Sequence, residues 1–485
     1  MVEQDAASGG IDPERMAAFF SVLDELGELP PEHPDAVRVR RATAALYKDV
    51  KVRRRRERRE EVIAADKAVD ARTATAAPGR IDDETAGIPL ATATVDDSAG
   101  ELLQPRSCYV CKQRFTRVHA FYHQLCPSCA SLNWAKREAR TDLTGRRALL
   151  TGGRAKIGMY IALRLLRDGA HLTITTRFPH DAVRRFAGME DSADWLHRLK
   201  VVGVDLRDPS QVVALADSVA ADGPLDVLVN NACQTVKRSP GSYGHLVAAE
   251  SAPLPAGPLP EVLALDAFRS AGPAALTGGV SPPVQRLVSA DDVTALALVA
   301  GSSSLERVAA GTAIDAGGLV PDLDDINSWT RLVEEVDPLE LLEVQLCNVT
   351  APFLLVSRLR PAMAASPHRR KHVVNVSAME GQFSRGYKAP GHPHTNMAKA
   401  ALNMLTRTSA KEMLQTDGIL MTAVDTGWIT DERPHPLKAR LHEEGFRAPL
   451  DLADGAARVY DPIVRGEAGE DVYGCFLKDY RVSDW

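Results

Sequence analysis

From Leu143 onward, apolar runs alternate with helix-length segments: "RRALLTGG", "AHLTITTR", "LKVVGVDL", "LDVLVNNA", "KHVVNVSA" and "GILMTAVDTG". Runs this apolar, with no polar alternation, suit strands buried on both faces, and the spacers between them suit crossover helices. The pattern therefore predicts an α/β fold built on a parallel sheet covered by helices on both sides. Between Cys233 and about Asp325 the rhythm breaks, with prolines at 253, 255, 258, 260, 273, 282 and 283. Proline removes a ladder donor and breaks helices, so this segment cannot be a central strand or one long helix. It reads as an insertion over residues 234–325, placed over one edge of the sheet, with helix of its own near "SADDVTALALVAG".

The chain has 485 residues, 45% of them hydrophobic, enough for a large core and, by length, about three domains. Residues 1–75 read as a helical N-terminal region. "DPERMAAFFSVLDELGE" spaces Met16, Phe19, Phe20, Leu23 and Leu26 at helical intervals after an Asp-Pro start, and a second helix is expected from about Asp35 to Ala74. That second helix carries six arginines in the seven positions from Arg53 to Arg59. Such a run suits a nucleic-acid or protein partner, and equally a solvated helix whose Glu57, Glu60 and Glu61 moderate the repulsion. The net charge of −6 argues against general nucleic-acid binding. Residues 76–105 lack periodicity and read as a linker. The acidic start has no apolar leader core, and no uninterrupted apolar run approaches membrane-spanning length, which points to a cytoplasmic protein without a membrane partner.

Residues 106–140 contain "CYVCKQRFTRVHAFYHQLCPSC", two CxxC pairs with fourteen residues between them. Four thiolates in two tight knuckles match a closed tetrahedral site for structural zinc, with Cys108, Cys111, Cys126 and Cys129 as ligands. A redox CxxC would more naturally be single and sit beside a βαβ unit. His119 and His123 lie between the pairs and are alternative ligands or plain side chains of the module. Cys233, Cys347 and Cys475 are isolated in apolar contexts, as reduced thiols would be.

"ALLTGGRAKIGMYIALRLLRDGA" follows a strand with a glycine turn and then an amphipathic helix, an arrangement whose free N–H groups and partial positive charge suit a pyrophosphate. "TITTR" ends the next strand at Arg177, "VDL" the third at Asp205 and Leu206, and "NNA" the fourth at Asn230 to Ala232. On these motifs, residues 143–485, apart from the insertion, resemble the short-chain dehydrogenase/reductase family. The resemblance implies a Rossmann-like doubly wound parallel sheet. It also implies a dinucleotide at Thr151, Gly152 and Gly158, Asp205 on the adenine side, and Asn231 within a brace beside the cofactor. Two departures stand out: Lys156 replaces the middle glycine of the turn and Cys233 the last glycine of NNAG. Arg177 sits where relatives preferring NADP place a cation for the 2′-phosphate, because arginine's planar fork suits phosphate oxygens, so NADP(H) is favoured over NAD(H).

Family members transfer hydride between nicotinamide and a carbonyl or alcohol carbon, and a tyrosine, lysine, serine and asparagine handle the proton and the ribose. The resemblance assigns the asparagine to Asn348 in "LLEVQLCNVTAPFLL" and the lysine to Lys399 in "NMAKAAL". The other two positions depart. Ala378 stands for the serine, with Ser377 one residue earlier, and Thr395 stands for the tyrosine, although an aliphatic hydroxyl is a far poorer acid than a phenol of reference pKa about 10. Replacement donors would be Tyr387, His392 or His394 in the loop before the Lys399 helix, or Lys399 itself. "VDTGWITDE" resembles the family's PG turn, with Thr426 for the proline, and Thr430 and Asp431 near the place where the family's threonine meets the nicotinamide amide. The expectation is an NADP(H)-dependent oxidoreductase acting on a small carbonyl or alcohol compound. The alternative is a non-catalytic relative that binds a dinucleotide or partners through the zinc module and basic helix. By resemblance, a homo-oligomer is expected.

Overall fold

The computed structural model describes residues 10–77, 80, 97–265, 268, 294, 297–298, 302–430 and 432–485. Residues 1–67 and 68–485 form two compact units.

In the first unit, the helix Pro13–Gly27 begins where Asp12 caps it, its Oδ1 accepting from the N–H groups of Glu14 and Arg15 at 2.9 and 3.0 Å. The helix that starts at Pro34 runs to Asp70, and its arginine run is solvent-exposed, with Glu57 and Glu60 pairing to Arg53 and Arg56 one turn apart.

The second unit opens with a two-stranded antiparallel ribbon, β1 (Ser98–Ser107) and β2 (Arg114–His119), followed by the helix Pro127–Arg137. The expected linker is thereby shortened, because residues 98–105 lie within β1. Register shifts between Ser98 and Gly100 and between Glu101 and Arg106 disrupt the alternation of faces, which is why the strand shows no two-residue period. Much of the rest of the expected linker lies outside the described residues.

The main sheet has nine strands in the order β11-β10-β9-β8-β6-β3-β4-β5-β7. Here β3 is Arg147–Leu150, β4 His171–Thr176, β5 Leu199–Gly203, β6 Val227–Asn230, β7 Glu261–Ala264, β8 Lys371–Ser377, β9 Ile419–Asp425, β10 Phe476–Lys478 and β11 Arg481–Ser483. All neighbouring strands pair in parallel except β11, which is antiparallel to β10. The six apolar runs are the six central strands β3, β4, β5, β6, β8 and β9, and every residue of β8 and β9 is buried. One face is covered by the helices Lys156–Arg167 and Leu452–Glu467, the other by Pro209–Ala221 and Ala351–Ala364. Each face buries a large aliphatic cluster, and burying one such side chain contributes about 1.5–3 kcal/mol.

Among its described residues, the proline-rich insertion gives the sheet an edge strand, β7, beside β5, and carries two short α-helices, Gly244–Glu250 and Leu305–Ala309. The helix expected near residues 289–301 falls largely outside the described residues. A continuous helical stretch, Pro338–Ala364, is long and apolar enough to cross a membrane by length and composition only, although Glu340, Glu343 and Asn348 interrupt its apolar run. Its Leu355 and Leu359 are buried against the sheet. The chain order turns in opposite directions from β3, to β4 on one side and to β6 on the other, so ligands are expected beyond the carboxyl ends at that switch point.

Candidate functional site

A cavity of about 590 Å³ opens at that switch point, lined by Gly152, Lys156 and Gly158 of the glycine turn, by Arg177 and Asp205 at the ends of β4 and just beyond β5, and by Asn231 after β6. The turn is held by two side chains. The Thr151 hydroxyl accepts from the N–H groups of Asn231 and Ala232, both at 3.0 Å. The Asn231 amide in turn donates to the carbonyls of Thr151 and Gly152, at 3.0 and 3.1 Å. Gly152 has φ +69°, and a Cβ on Gly158 would lie 2.0 Å from the Gly152 carbonyl oxygen, so both positions require glycine. The following helix has Ala155 at its cap with no side-chain acceptor, which leaves its first N–H groups for an anion.

The two motif departures behave differently. Cys233 is not among the positive-φ residues, so its backbone has no need of glycine. Lys156 has φ +53°, a left-handed conformation that costs a side-chain-bearing residue roughly 1–2 kcal/mol. Its ammonium lies 3.8 Å from Asp315, which also faces Arg238 at 3.6 Å. Asp315 belongs to an insertion turn whose backbone is gripped from the glycine-turn side: Arg154 donates to the Gly317 carbonyl at 2.8 Å and Arg185 to that of Ala316 at 3.0 Å. Arg154 and Arg185 are both tied to the buried Asp181. These contacts from Arg154, Arg185, Arg238 and Asp315 escaped sequence reading, since two of the four residues lie in the irregular insertion.

Arg177 lies over the rings of Phe178 and Tyr243, 5.8 and 5.2 Å from their centroids, and its Nη2 donates to the Tyr243 hydroxyl at 3.4 Å. Among the described residues no carboxylate pairs with it. Asp205 is instead taken by Arg207, whose Nη2 reaches it at 2.6 Å. Burial opposes ionisation of that carboxyl, yet the hydrogen bonds and charge of Arg207 outweigh it and hold the group below the usual carboxylate range. Arg207 also meets Glu343 at 3.2 Å.

The residues at the family's catalytic positions lie at and beyond the end of β8 and on the helices packed there. Lys399 is half-buried and its Nζ donates to the Val376 carbonyl at 2.7 Å. Asn348 sits in a π-helical turn, Leu346–Thr350, a local irregularity common at functional sites. Its amide both accepts from and donates to the Gln234 backbone, at 2.8 and 3.1 Å, so it braces the start of the insertion. Ser377 is buried and donates to the Asn403 side chain at 2.6 Å. Thr395 is buried and donates to the His392 carbonyl at 2.9 Å. Tyr387 is 71% exposed. His392 stacks on Trp329 with ring centroids 3.8 Å apart, and burial pushes its pKa down. His394 faces the buried Glu340 at 3.2 Å, and Arg331 meets that carboxylate at 2.7 Å. Thr430 lines the cavity and donates to Glu432 at 2.8 Å, whereas Asp431 lies outside the described residues.

The ligand atoms of Cys108, Cys111, Cys126 and Cys129 all lie within 4.8 Å of one another, with the Cys111 and Cys126 sulfurs 3.6 Å apart. Zinc–sulfur bonds of about 2.3 Å in a tetrahedron would set sulfurs about 3.8 Å apart, so the donor set fits the ion. The Cys126 N–H points at the Cys108 sulfur at 3.3 Å, a contact that partly offsets the burial raising that thiol's pKa. The two histidines lie outside this group: His119 Nδ1 accepts from the Phe121 N–H at 3.0 Å, and His123 is buried against the Thr75 hydroxyl at 2.8 Å.

A family model for short chain dehydrogenase matches residues 146–243. An uncharacterized protein of Acanthamoeba polyphaga mimivirus is 31% identical over 369 residues, which cover 74% of this chain and 71% of that one. The oxidoreductase UcpA of Escherichia coli is 38% identical over 95 residues, 19% of this chain and 33% of the relative. Among solved structures, a short-chain dehydrogenase from Burkholderia cenocepacia in complex with NADP is 20% identical, with a TM-score of 0.42, covering 70% of this chain and 97% of that one. With the glycine turn and the strand order, the match over residues 146–243 places that part of the chain in the short-chain dehydrogenase/reductase family.

Proposed function

We propose that the chain binds NADP(H) in the switch-point cavity and is an oxidoreductase for a small carbonyl or alcohol compound. The observation that carries the cofactor reading is Arg177, a cation at the end of β4 that lines the cavity, stacks on two aromatic rings and has no carboxylate partner among the described residues. The glycine turn and the uncapped helix start would receive the pyrophosphate, Arg177 the 2′-phosphate, and Lys399 the ribose nearest the nicotinamide. When bound, the dinucleotide supplies or accepts a hydride. The four cysteines hold zinc as a closed structural site that leaves no position for substrate.

A second reading, dinucleotide binding without turnover, is favoured by where the hydroxyls point. Thr395 and Ser377 spend their protons inside the protein, and Tyr387 faces solvent. Calorimetric titration of zinc-loaded protein with NADPH and NADH tests the cofactor reading, which requires micromolar binding with preference for NADPH. Oxidation of NADPH by a panel of carbonyl compounds, lost in Lys399→Ala, supports the enzyme; binding with no turnover across the panel supports the second reading.

A further inference from the structure

The four-cysteine module reaches the dinucleotide cavity by two short paths. Tyr109, the first residue between Cys108 and Cys111, extends from the knuckle, and its hydroxyl accepts a hydrogen bond from the Trp428 N–H at 2.8 Å. Trp428 leads through Ile429 to Thr430, which lines the cavity. Ile429 is buried in the same apolar cluster as Cys108, Cys126 and Cys129. By the second path, Ile157 stands in the first turn of the helix that follows the glycine turn, lines the cavity, and packs against that same cluster. The module thus supports both the phosphate end of the cavity and the segment nearest the nicotinamide position.

The knuckle is shaped by its own backbone hydrogen bonds and by the apolar cluster that buries Cys108, Cys126 and Cys129. Its backbone is held by the Cys108 N–H on Gln113 at 2.8 Å and the Tyr109 N–H on Gln124 at 2.8 Å, and a shared metal would lock the two pairs together. Without that lock, nothing ties the two cysteine pairs to a common centre, and the tyrosine that one pair flanks moves with them.

We propose that occupancy of the four-cysteine site sets the affinity of the dinucleotide cavity, with Tyr109 as the positioning residue that holds segment 428–430 in its binding geometry. The inference rests on the NADP(H) reading for its ligand. Its test compares zinc-loaded wild type with zinc-loaded Tyr109→Phe, after metal analysis shows one ion in each. The variant should melt within a few degrees of wild type, while its NADPH dissociation constant rises roughly fivefold to tenfold, the effect of one hydrogen bond. Equal dissociation constants would overturn the inference, since a module that only stabilises the fold leaves the affinity of folded protein unchanged.

Hydrogen exchange at residues 428–430 gives a readout independent of the cofactor. Exchange there should quicken, and elsewhere in the sheet stay the same, in Tyr109→Phe and in chelator-treated wild type. Should chelation unfold the whole sheet, the metal-retaining variant decides. Should wild type bind no NADPH, the cofactor reading falls, and unchanged exchange at 428–430 would sink the coupling separately.

Discussion

Replacing Arg177 with serine separates the 2′-phosphate from the rest of the cofactor. The guanidinium sits between cavity and aromatic rings with no ion pair among the described residues, so its removal strands no buried carboxylate and the fold should tolerate the change. What it removes is charge-assisted hydrogen bonding to the phosphate, about 1.5–3 kcal/mol, or roughly tenfold to hundredfold in affinity. Arg207 cannot take over, because its fork is occupied by Asp205 and Glu343. Calorimetry at one fixed ionic strength, which keeps screening constant, should show the NADPH dissociation constant rising by that factor and NADH binding changing less than about twofold. Equal losses for both cofactors would mean that Arg177 contacts a part they share. No loss for NADPH would refute the assignment outright.

Three further outcomes follow from the geometry. Asp425, fully buried at the end of β9, is pushed by burial up to about 6, with one hydrogen bond from the Gly427 N–H at 3.1 Å to offset it. Its folded value lies above its unfolded one, so its contribution to stability is whole below about pH 4 and is lost as pH rises through about 6; Asp425→Asn should therefore gain about 3 kcal/mol relative to wild type at pH 8 but little at pH 4, measured by urea unfolding. Lys156→Gly should raise stability by about 0.5–1 kcal/mol, because relief of the left-handed backbone exceeds the entropy glycine adds to the unfolded chain, and a lowered melting temperature would contradict this. Cobalt added to reduced metal-free protein should give one equivalent of thiolate-to-metal absorption, and Cys126→Ser should weaken it and lower the melting temperature by several degrees; no absorption would remove the metal assignment.

The parallel sheet was legible in advance because strands buried on both faces need apolar runs, and six such runs at crossover spacing leave few topologies. The glycine turn was legible for a similar reason: Gly152 and Gly158 answer steric demands within seven residues of chain. The four-sulfur group needed only two local knuckles. By contrast, β1 was hidden because its irregular register erases the period that identifies a strand. Tyr387, placed in sequence close to the family's catalytic lysine, turns to solvent, an orientation that no spacing encodes.

By itself, then, the sequence determined the α/β class, the place of the dinucleotide turn, the cysteine tetrad and the absence of tyrosine and serine at their family positions, all of which depend on residues near one another in the chain. Tertiary structure alone decided that Asn348 braces Gln234, that the insertion's Asp315 returns to Lys156, and that Tyr109 meets Trp428 more than three hundred residues away. Those pairings depend on how strands and loops converge at the carboxyl edge of the sheet, and long-range convergence leaves no periodicity in the chain for a reader to find.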